Sequence, residues 1–125
     1  MRENNTILIV EDDHIISQLI ELRLNNLGYS VSGIAATGQD AITLVNETRP
    51  GAIVMDISLQ GKLDGIETAK IIKEKYSIPI IFLTAYSDER VLERIVSLQP
   101  VQYILKPFTD DDLRIALRLS LCGRK

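Results

Sequence analysis

The stretch IVMDISLQGKLDG, residues 53–65, places an apolar run of strand length directly before an Asp and a polar loop marked by glycines. A strand that crosses a protein core commonly ends at a turn residue, so Asp56 could be a plain strand terminator. Whether it is more than that depends on what the other apolar runs of the chain predict and on the residues that follow them.

Apolar runs of strand length alternate with segments of helical periodicity along the whole chain. The predicted strands are residues 7–10, 31–35, 52–55, 80–83 and 103–105. Most of them are apolar on both faces, which is typical of strands buried in a parallel sheet. This alternation predicts an α/β fold, a doubly wound five-stranded parallel sheet with five helices in three layers.

The ends of the predicted helices are marked by residues that stop or start helices. Gly28 follows the first apolar helical stripe, and Pro50, Pro79 and Pro100 follow the next three. Thr109 or Asp110 is expected to cap the last helix, with acidic residues 110–112 favouring its positive first turn.

Length and composition restrict the possible classes of protein. A chain of 125 residues fits one domain, residues 1–125, with a core that needs no disulfide or metal. A net charge of -3 without a basic stripe argues against a nucleic-acid-binding protein. The single Cys122 and the absence of an apolar leader suggest the cytoplasm, and no apolar run approaches the roughly 20 residues of a membrane span.

Polar residues follow four of the five predicted strands. They are Glu11-Asp12-Asp13, Asp56, Thr84-Ala85 and Lys106-Pro107. Because the carboxyl ends of parallel strands share one edge of a sheet, the carboxylates are expected to converge there. Like charges so close resist joint ionisation unless a cation lies among them, and oxygen ligands with an incomplete protein shell favour Mg²⁺. Asp56 could then act as an anionic nucleophile, with Lys106 and the Thr84 hydroxyl receiving phosphoryl oxygens.

Four sequence landmarks resemble the receiver domain of two-component response regulators. They occur in order at strand ends and are ILIVEDD at 7–13, VMDISL at 54–59 with DG at 64–65, FLTA at 82–85 and YILKPF at 103–108. The resemblance extends over essentially the whole chain. It implies a receiver of the flavodoxin-like architecture that accepts a phosphoryl group on Asp56 and does not turn over an outside substrate.

The resemblance also implies roles for individual residues. Mg²⁺ would be held by Asp12, Asp56, the Ser58 backbone carbonyl and, through water, Glu11. Thr84 would be the signalling hydroxyl, Tyr103 the switch aromatic, and Lys106 the phosphate-binding lysine, aimed by a cis bond to Pro107. The implied partners are a histidine kinase or phosphotransfer protein, and an effector that docks on the face made by the fourth helix, fifth strand and fifth helix.

Two segments depart from the common receiver pattern. Gln60 stands where many receivers have Pro, and DG begins eight residues after Asp56 instead of seven, so the loop is one residue longer. Before strand five, Gln99-Pro100-Val101-Gln102 replaces the frequent Gly-Ala, which should stiffen this segment.

Other functions fit these residues less well. A flavodoxin-like electron carrier is disfavoured because residues 11–13 would repel an FMN phosphate. A phosphatase with an aspartyl nucleophile is disfavoured because Ser58 stands where a second acid would be expected. A degenerate receiver that binds partners without phosphorylation remains the alternative. Asp13 is interpreted as a helix N-cap and His14 as a surface residue.

The fourth predicted helix, about residues 88–97, is unusually apolar. Its apolar residues, with the one that follows, are Val91, Leu92, Ile95, Val96 and Leu98. These are too many for one buried stripe, so part of this surface is expected to face outward. Flanked by charges of both signs, including Arg94, it predicts a phosphorylation-dependent homodimer.

Overall fold

The computed structural model describes residues 4–59, 61–85, 89–98 and 101–122. Its strands are β1 (Thr6–Val10), β2 (Ser30–Ala35), β3 (Ala52–Asp56), β4 (Ile80–Thr84) and β5 (Gln102–Leu105). Its helices are α1 (His14–Asn26), α2 (Gly38–Thr48), α3 (Gly65–Lys75), α4 (Glu89–Val96) and α5 (Asp110–Cys122). The strands form one parallel sheet in the order β2-β1-β3-β4-β5, which confirms the predicted fold class.

Two hydrophobic cores lie on opposite faces of the sheet. Successive side chains of a strand point to opposite faces, so Leu8 and Val10 of β1 enter one core while Ile7 and Ile9 enter the other. The first core contains buried residues of α2, α3 and α4, and the second contains buried residues of α1 and α5. The three-layer arrangement follows from this division.

Burial on both faces holds for the central strands only. Every residue of β3 and β4 is buried, whereas β2 and β5 are edge strands with exposed positions. Tyr103 and Leu105 of β5 are each 46% exposed. An edge strand has one neighbour, and its outer face is covered less completely than that of a central strand.

The helix ends are fixed by local hydrogen bonds. Asp13 caps α1 by accepting from the N–H groups of Ile15 and Ile16, as predicted. At the other end, Gly28 adopts a φ of 97° and donates to Asn25, a left-handed conformation that favours glycine.

The last helix is capped by one of its two predicted candidates. Thr109 accepts from the Asp112 N–H at 3.1 Å, while the Asp112 carboxylate accepts from the Thr109 N–H at 3.0 Å. This reciprocal arrangement satisfies two amide donors at the start of α5. Thr109, rather than Asp110, therefore precedes the helix.

The apolar residues of α1 do not all face the core. The spacing of Ile16, Leu19, Ile20, Leu24 and Leu27 predicts one apolar stripe, but Leu19 is 54% exposed and the buried residues of the helix are Ser17, Ile20 and Leu24. The stripe is narrower than its spacing predicts because the sheet contacts only one side of the helix.

The α4 segment has one outward-facing apolar residue among those named above. Ile95 and Leu98 are buried, Val91 and Leu92 are partly buried, and Val96 is exposed. The outward apolar surface of α4 is thus largely Val96.

Some sequence expectations fall on residues that the structure does not describe. Gln60 lies outside the described residues, as do Asp88 at the expected start of the fourth helix and Gln99 and Pro100 before β5. None of the helices in the described ranges has the length and apolar character needed to cross a lipid bilayer.

Candidate acidic site at the carboxyl edge of the sheet

The polar residues predicted to share an edge do so. Strands β1, β3, β4 and β5 are consecutive in the sheet, and all run in the same direction. Asp56 and Thr84 are the last residues of β3 and β4, while Glu11 and Lys106 directly follow β1 and β5. One edge of the sheet therefore carries acidic, hydroxyl and basic groups on neighbouring strands.

Three carboxylates form a cluster at this edge. Glu11, Asp12 and Asp56 each offer one oxygen, and these oxygens all lie within 4.8 Å of one another. Glu11 and Asp56 are buried, and Asp12 is partly buried. Asp13 is excluded from this cluster because its carboxylate caps α1. Three acidic groups in so small and dry a volume repel one another strongly.

Glu11 has a strongly perturbed proton affinity. Burial, followed by the negative charge of Asp56, raises the pKa of Glu11 to about 7. The Asp13 N–H, which donates to Glu11 Oε2 at 3.1 Å, acts in the opposite direction. The other oxygen, Oε1, is buried and has no hydrogen-bond partner among the described residues. Buried polar atoms are usually paired, so this oxygen indicates a missing partner.

Asp56 is held from two sides. Its Oδ1 accepts the Ser58 N–H at 3.0 Å, and its Oδ2 lies 3.5 Å from Lys106 Nζ. The Lys106 backbone N–H donates to the Thr84 carbonyl at 2.8 Å, which fixes the start of the β5–α5 connection to β4. One oxygen of the Asp56 carboxylate thus faces the ammonium group of Lys106, and the other accepts from a backbone amide that orients the carboxylate.

The remaining predicted residues lie in or directly after β4 and β5, after β3, and in α1. Thr84 is 2% exposed, whereas Tyr103 is about half exposed on the edge strand. The Lys106–Pro107 peptide bond is cis, as the resemblance implied. Ser58 is exposed, and its backbone amide contacts Asp56 as described above. His14 is exposed, as expected of a surface residue, and its Nε2 lies 3.2 Å from Gln18 Nε2.

The Asp64-Gly65 pair has two structural roles that its spacing did not reveal. A Cβ at Gly65 would collide with the Asp56 carbonyl oxygen and lie 2.8 Å from Ile57 Cα. Only glycine lets the start of α3 approach the backbone of β3 so closely. Asp64 caps α3 through the Glu67 N–H and also forms an ion pair with Arg94 of α4 at 2.9 Å. Arg94, expected beside a dimer patch, is therefore paired within the chain.

The acidic cluster fits a hard divalent cation. It combines three carboxylates, a buried oxygen without a partner among the described residues, and a carboxyl group, Glu11, whose pKa is raised by burial and then by the charge of Asp56. A cation among these oxygens would satisfy the unpaired atom and offset the repulsion. Carboxylate oxygens are the ligands that hard cations such as Mg²⁺ and Ca²⁺ prefer.

Comparison with known proteins gives a consistent family signal. The family model for the response regulator receiver domain matches residues 7–118. Among curated proteins, the transcriptional regulatory protein PdtaR of Mycobacterium tuberculosis is 34% identical over 115 residues, covering 92% of this chain and 56% of that protein. The chain spans about half the length of the curated relatives it matches.

Solved structures agree with the sequence matches. The receiver domain of a modulated diguanylate cyclase from Desulfovibrio desulfuricans has a TM-score of 0.87 and 32% identity, covering 94% of this chain and 93% of that one. The receiver domain of a sensor histidine kinase from Pseudomonas aeruginosa, with a magnesium ion coordinated in its active-site cleft, has a TM-score of 0.85 and 31% identity. That match covers 96% of this chain and 99% of the other.

Proposed function

Because this chain belongs to the response regulator receiver domain family, we propose that Asp56 accepts a phosphoryl group from a phosphohistidine in a two-component phosphorelay. The proposal rests on the surroundings of the Asp56 side chain. Its carboxylate ends a buried strand, lies 3.5 Å from Lys106 Nζ and shares a cluster with Glu11 and Asp12. A carboxylate kept beside both a cationic donor and an acidic pair is suited to phosphoryl transfer.

The transfer is a single displacement at phosphorus. An Asp56 oxygen forms a bond to phosphorus while the P–N bond of the phosphohistidine breaks, and its electron pair returns to the imidazole nitrogen. Lys106 Nζ, already 3.5 Å from Asp56 Oδ2, donates to a phosphoryl oxygen and offsets its charge. The Thr84 hydroxyl, buried at the end of β4, donates a hydrogen bond to a second phosphoryl oxygen.

The proposed cofactor is Mg²⁺, held by the carboxylates of Asp12 and Asp56, by the Ser58 carbonyl and, through water, by Glu11. When bound, Mg²⁺ neutralises charge on the transferred group and aligns its oxygens for displacement. The acidic cluster and the unpaired Glu11 Oε1 support this assignment. The magnesium in the related Pseudomonas receiver supports the choice of ion.

The proposed output is a change of the face made by α4, β5 and α5. Movement of the Thr84 hydroxyl towards the phosphoryl group would open space beside β5, into which the half-exposed Tyr103 ring can turn. A groove of about 520 Å³ on this face is lined by Tyr103, Leu105, Pro107 and Ile115, among others. Its lining combines these apolar side chains with the polar Gln102 and Asp112, a mixture that suits the surface of an effector, or of a second copy of the chain, recognised after phosphorylation.

In this proposal the chain is a phospho-acceptor with self-catalysed phosphorylation and dephosphorylation, not an enzyme for outside substrates. Its phosphodonor is a histidine kinase or phosphotransfer protein. The single cysteine favours the cytoplasm as the place of this exchange.

Incubation with phosphoramidate, a small donor with a P–N bond, tests the proposal. With Mg²⁺, the protein should gain one phosphoryl group by intact-mass analysis, and chelation should prevent the gain. Asp56→Asn should remove it, while Asp40→Asn, at an exposed position in α2, should not. A wild-type protein that stays unmodified with phosphoramidate and Mg²⁺ would instead favour the degenerate receiver that binds partners without phosphorylation.

A further inference from the structure

The Arg23 side chain connects α1 to the segment that follows Lys106. Its Nε donates to the Asp110 carboxylate at 2.7 Å, and its Nη2 donates to the Phe108 carbonyl at 2.9 Å. Its guanidinium carbon also lies 4.6 Å from the centre of the Phe108 ring. One side chain thus contacts a backbone carbonyl, an aromatic ring and the first residue of α5, which lie 85 to 87 positions further along the chain.

These contacts complete the anchoring of the β5–α5 connection. At its start, the Lys106 N–H donates to the Thr84 carbonyl at 2.8 Å. At its end, Arg23 holds Phe108 and Asp110, and Arg23 is itself carried by a helix whose Ile20 and Leu24 are buried in the core. Lys106 therefore lies in a short segment that is held at both ends.

We propose that Arg23 is a positioning residue for Lys106: by holding the segment 108–110 against α1, it keeps Lys106 Nζ directed at the Asp56 site. The inference rests on the proposed function, since Lys106 needs this orientation only if it receives phosphoryl oxygens. Arginine suits the role because its planar fork can donate in two directions while its face stacks on an aromatic ring. A lysine offers a single point charge in its place.

A purely stabilising role would predict different behaviour. The side chains of Arg23 and Asp110 are 32% and 57% exposed, and ion pairs so open to water contribute little to folding stability. Removing Arg23 should therefore leave the protein folded while the orientation of Lys106 becomes less defined. We therefore expect slower phosphoryl transfer to Asp56 without a loss of folding stability.

The experiment measures the rate of phosphorylation by acetyl phosphate with Mg²⁺ for the full chain and its variants. Arg23→Gln should slow the reaction about tenfold, less than the hundredfold that a full 1 Å misplacement of a reacting group can cause. Arg23→Lys, which keeps the charge, should recover part of the rate. The matched control is Arg114→Gln, which removes an exposed arginine of α5 that pairs with Asp111.

The decisive comparison uses a Lys106→Met background. If Arg23 acts through Lys106, Arg23→Gln should cause no further loss there, because coupled residues are not additive. An equal additional loss in that background, or an unchanged rate for Arg23→Gln alone, would overturn the inference. Urea unfolding of each variant checks that rates refer to folded protein, and Asp110→Asn, which removes only the ion pair, should show a smaller slowing.

The failure of this inference can be told apart from failure of the proposed function. A wild-type chain that takes up no phosphoryl group contradicts the phospho-acceptor function itself. A wild-type chain that is phosphorylated, beside an Arg23→Gln variant that reacts equally fast, contradicts the role of Arg23 alone.

Discussion

Replacing Glu11 by Gln should stabilise the metal-free protein above neutral pH. Glu11 is 3% exposed, and burial together with the charge of Asp56 raises its pKa to about 7. A carboxyl group whose pKa is raised on folding stabilises the fold fully below its unfolded pKa, and this contribution is lost as pH rises through the folded pKa. Wild-type protein should therefore lose stability, relative to Glu11→Gln, between about pH 4.5 and pH 7.

The size of the effect follows from the raised pKa. A tenfold change in proton affinity corresponds to about 1.4 kcal/mol, so the rise in pKa from 4.5 to about 7 sets an upper bound of about 3.5 kcal/mol at pH 8. Relaxation of the neighbouring groups and penetration of water reduce it, and we expect about 1 to 2 kcal/mol. Glutamine keeps the shape of the side chain and removes the charge.

Urea unfolding followed by circular dichroism at pH 4 and pH 8, with EDTA or with Mg²⁺, measures this difference. In EDTA the Glu11→Gln variant should be the more stable at pH 8 and nearly equal to wild type at pH 4, below the unfolded pKa of 4.5. Mg²⁺ should narrow or reverse the gap, because the ion stabilises the wild-type carboxylates more. Glu74→Gln, at an exposed position of α3, is the control and should match wild type throughout. Equal pH dependence of wild type and Glu11→Gln in EDTA would show that the pKa of Glu11 is not raised on folding.

Three further predictions concern neighbouring features. Gly65→Ala should destabilise the protein by about 1 to 3 kcal/mol in urea unfolding, since its methyl group would collide with the Asp56 carbonyl; a variant as stable as wild type would contradict this. Thr84→Ala should still be phosphorylated, but backbone amide shifts of β5 on adding beryllofluoride and Mg²⁺ should shrink; undiminished shifts would remove Thr84 from the switch. Beryllofluoride with Mg²⁺ should move the chain towards a dimer in sedimentation, and Ile115→Glu should prevent this because Ile115 is 50% exposed on the α4-β5-α5 face; a persistent monomer would leave that interface unsupported.

Periodicity and the order of elements were sufficient to predict the fold and the location of the site. Apolar runs that alternate with helical stripes leave few arrangements other than a parallel sheet with crossover helices. Once the sheet is parallel, its strand ends must share an edge, so the meeting of Glu11, Asp56 and Lys106 could be expected from position alone. Caps such as Asp13 were predictable because their hydrogen bonds are local in sequence.

Other features depend on contacts that sequence spacing does not encode. The exposed faces of β2 and β5 follow from the strand order in the sheet, which alternation does not specify. The raised pKa of Glu11 depends on its depth of burial, and the ion pair of Arg94 with Asp64 joins helices 30 positions apart. The contacts of Arg23 with Phe108 and Asp110 likewise join residues that are far apart in the sequence. Of these features, only the close approach at Gly65 had a sequence signal that could have revealed it, because a glycine at the start of a helix leaves room for a neighbouring backbone.

Identification of the phosphorylated residue shows whether Asp56 is the phospho-acceptor. After reaction with acetyl phosphate and Mg²⁺, borohydride reduction converts an aspartyl phosphate to homoserine, which peptide mass spectrometry then locates. We expect a single converted residue, Asp56, and none in protein treated without Mg²⁺. Conversion at a different acidic residue, or at none while the wild-type protein is folded and Mg²⁺ is present, would contradict it.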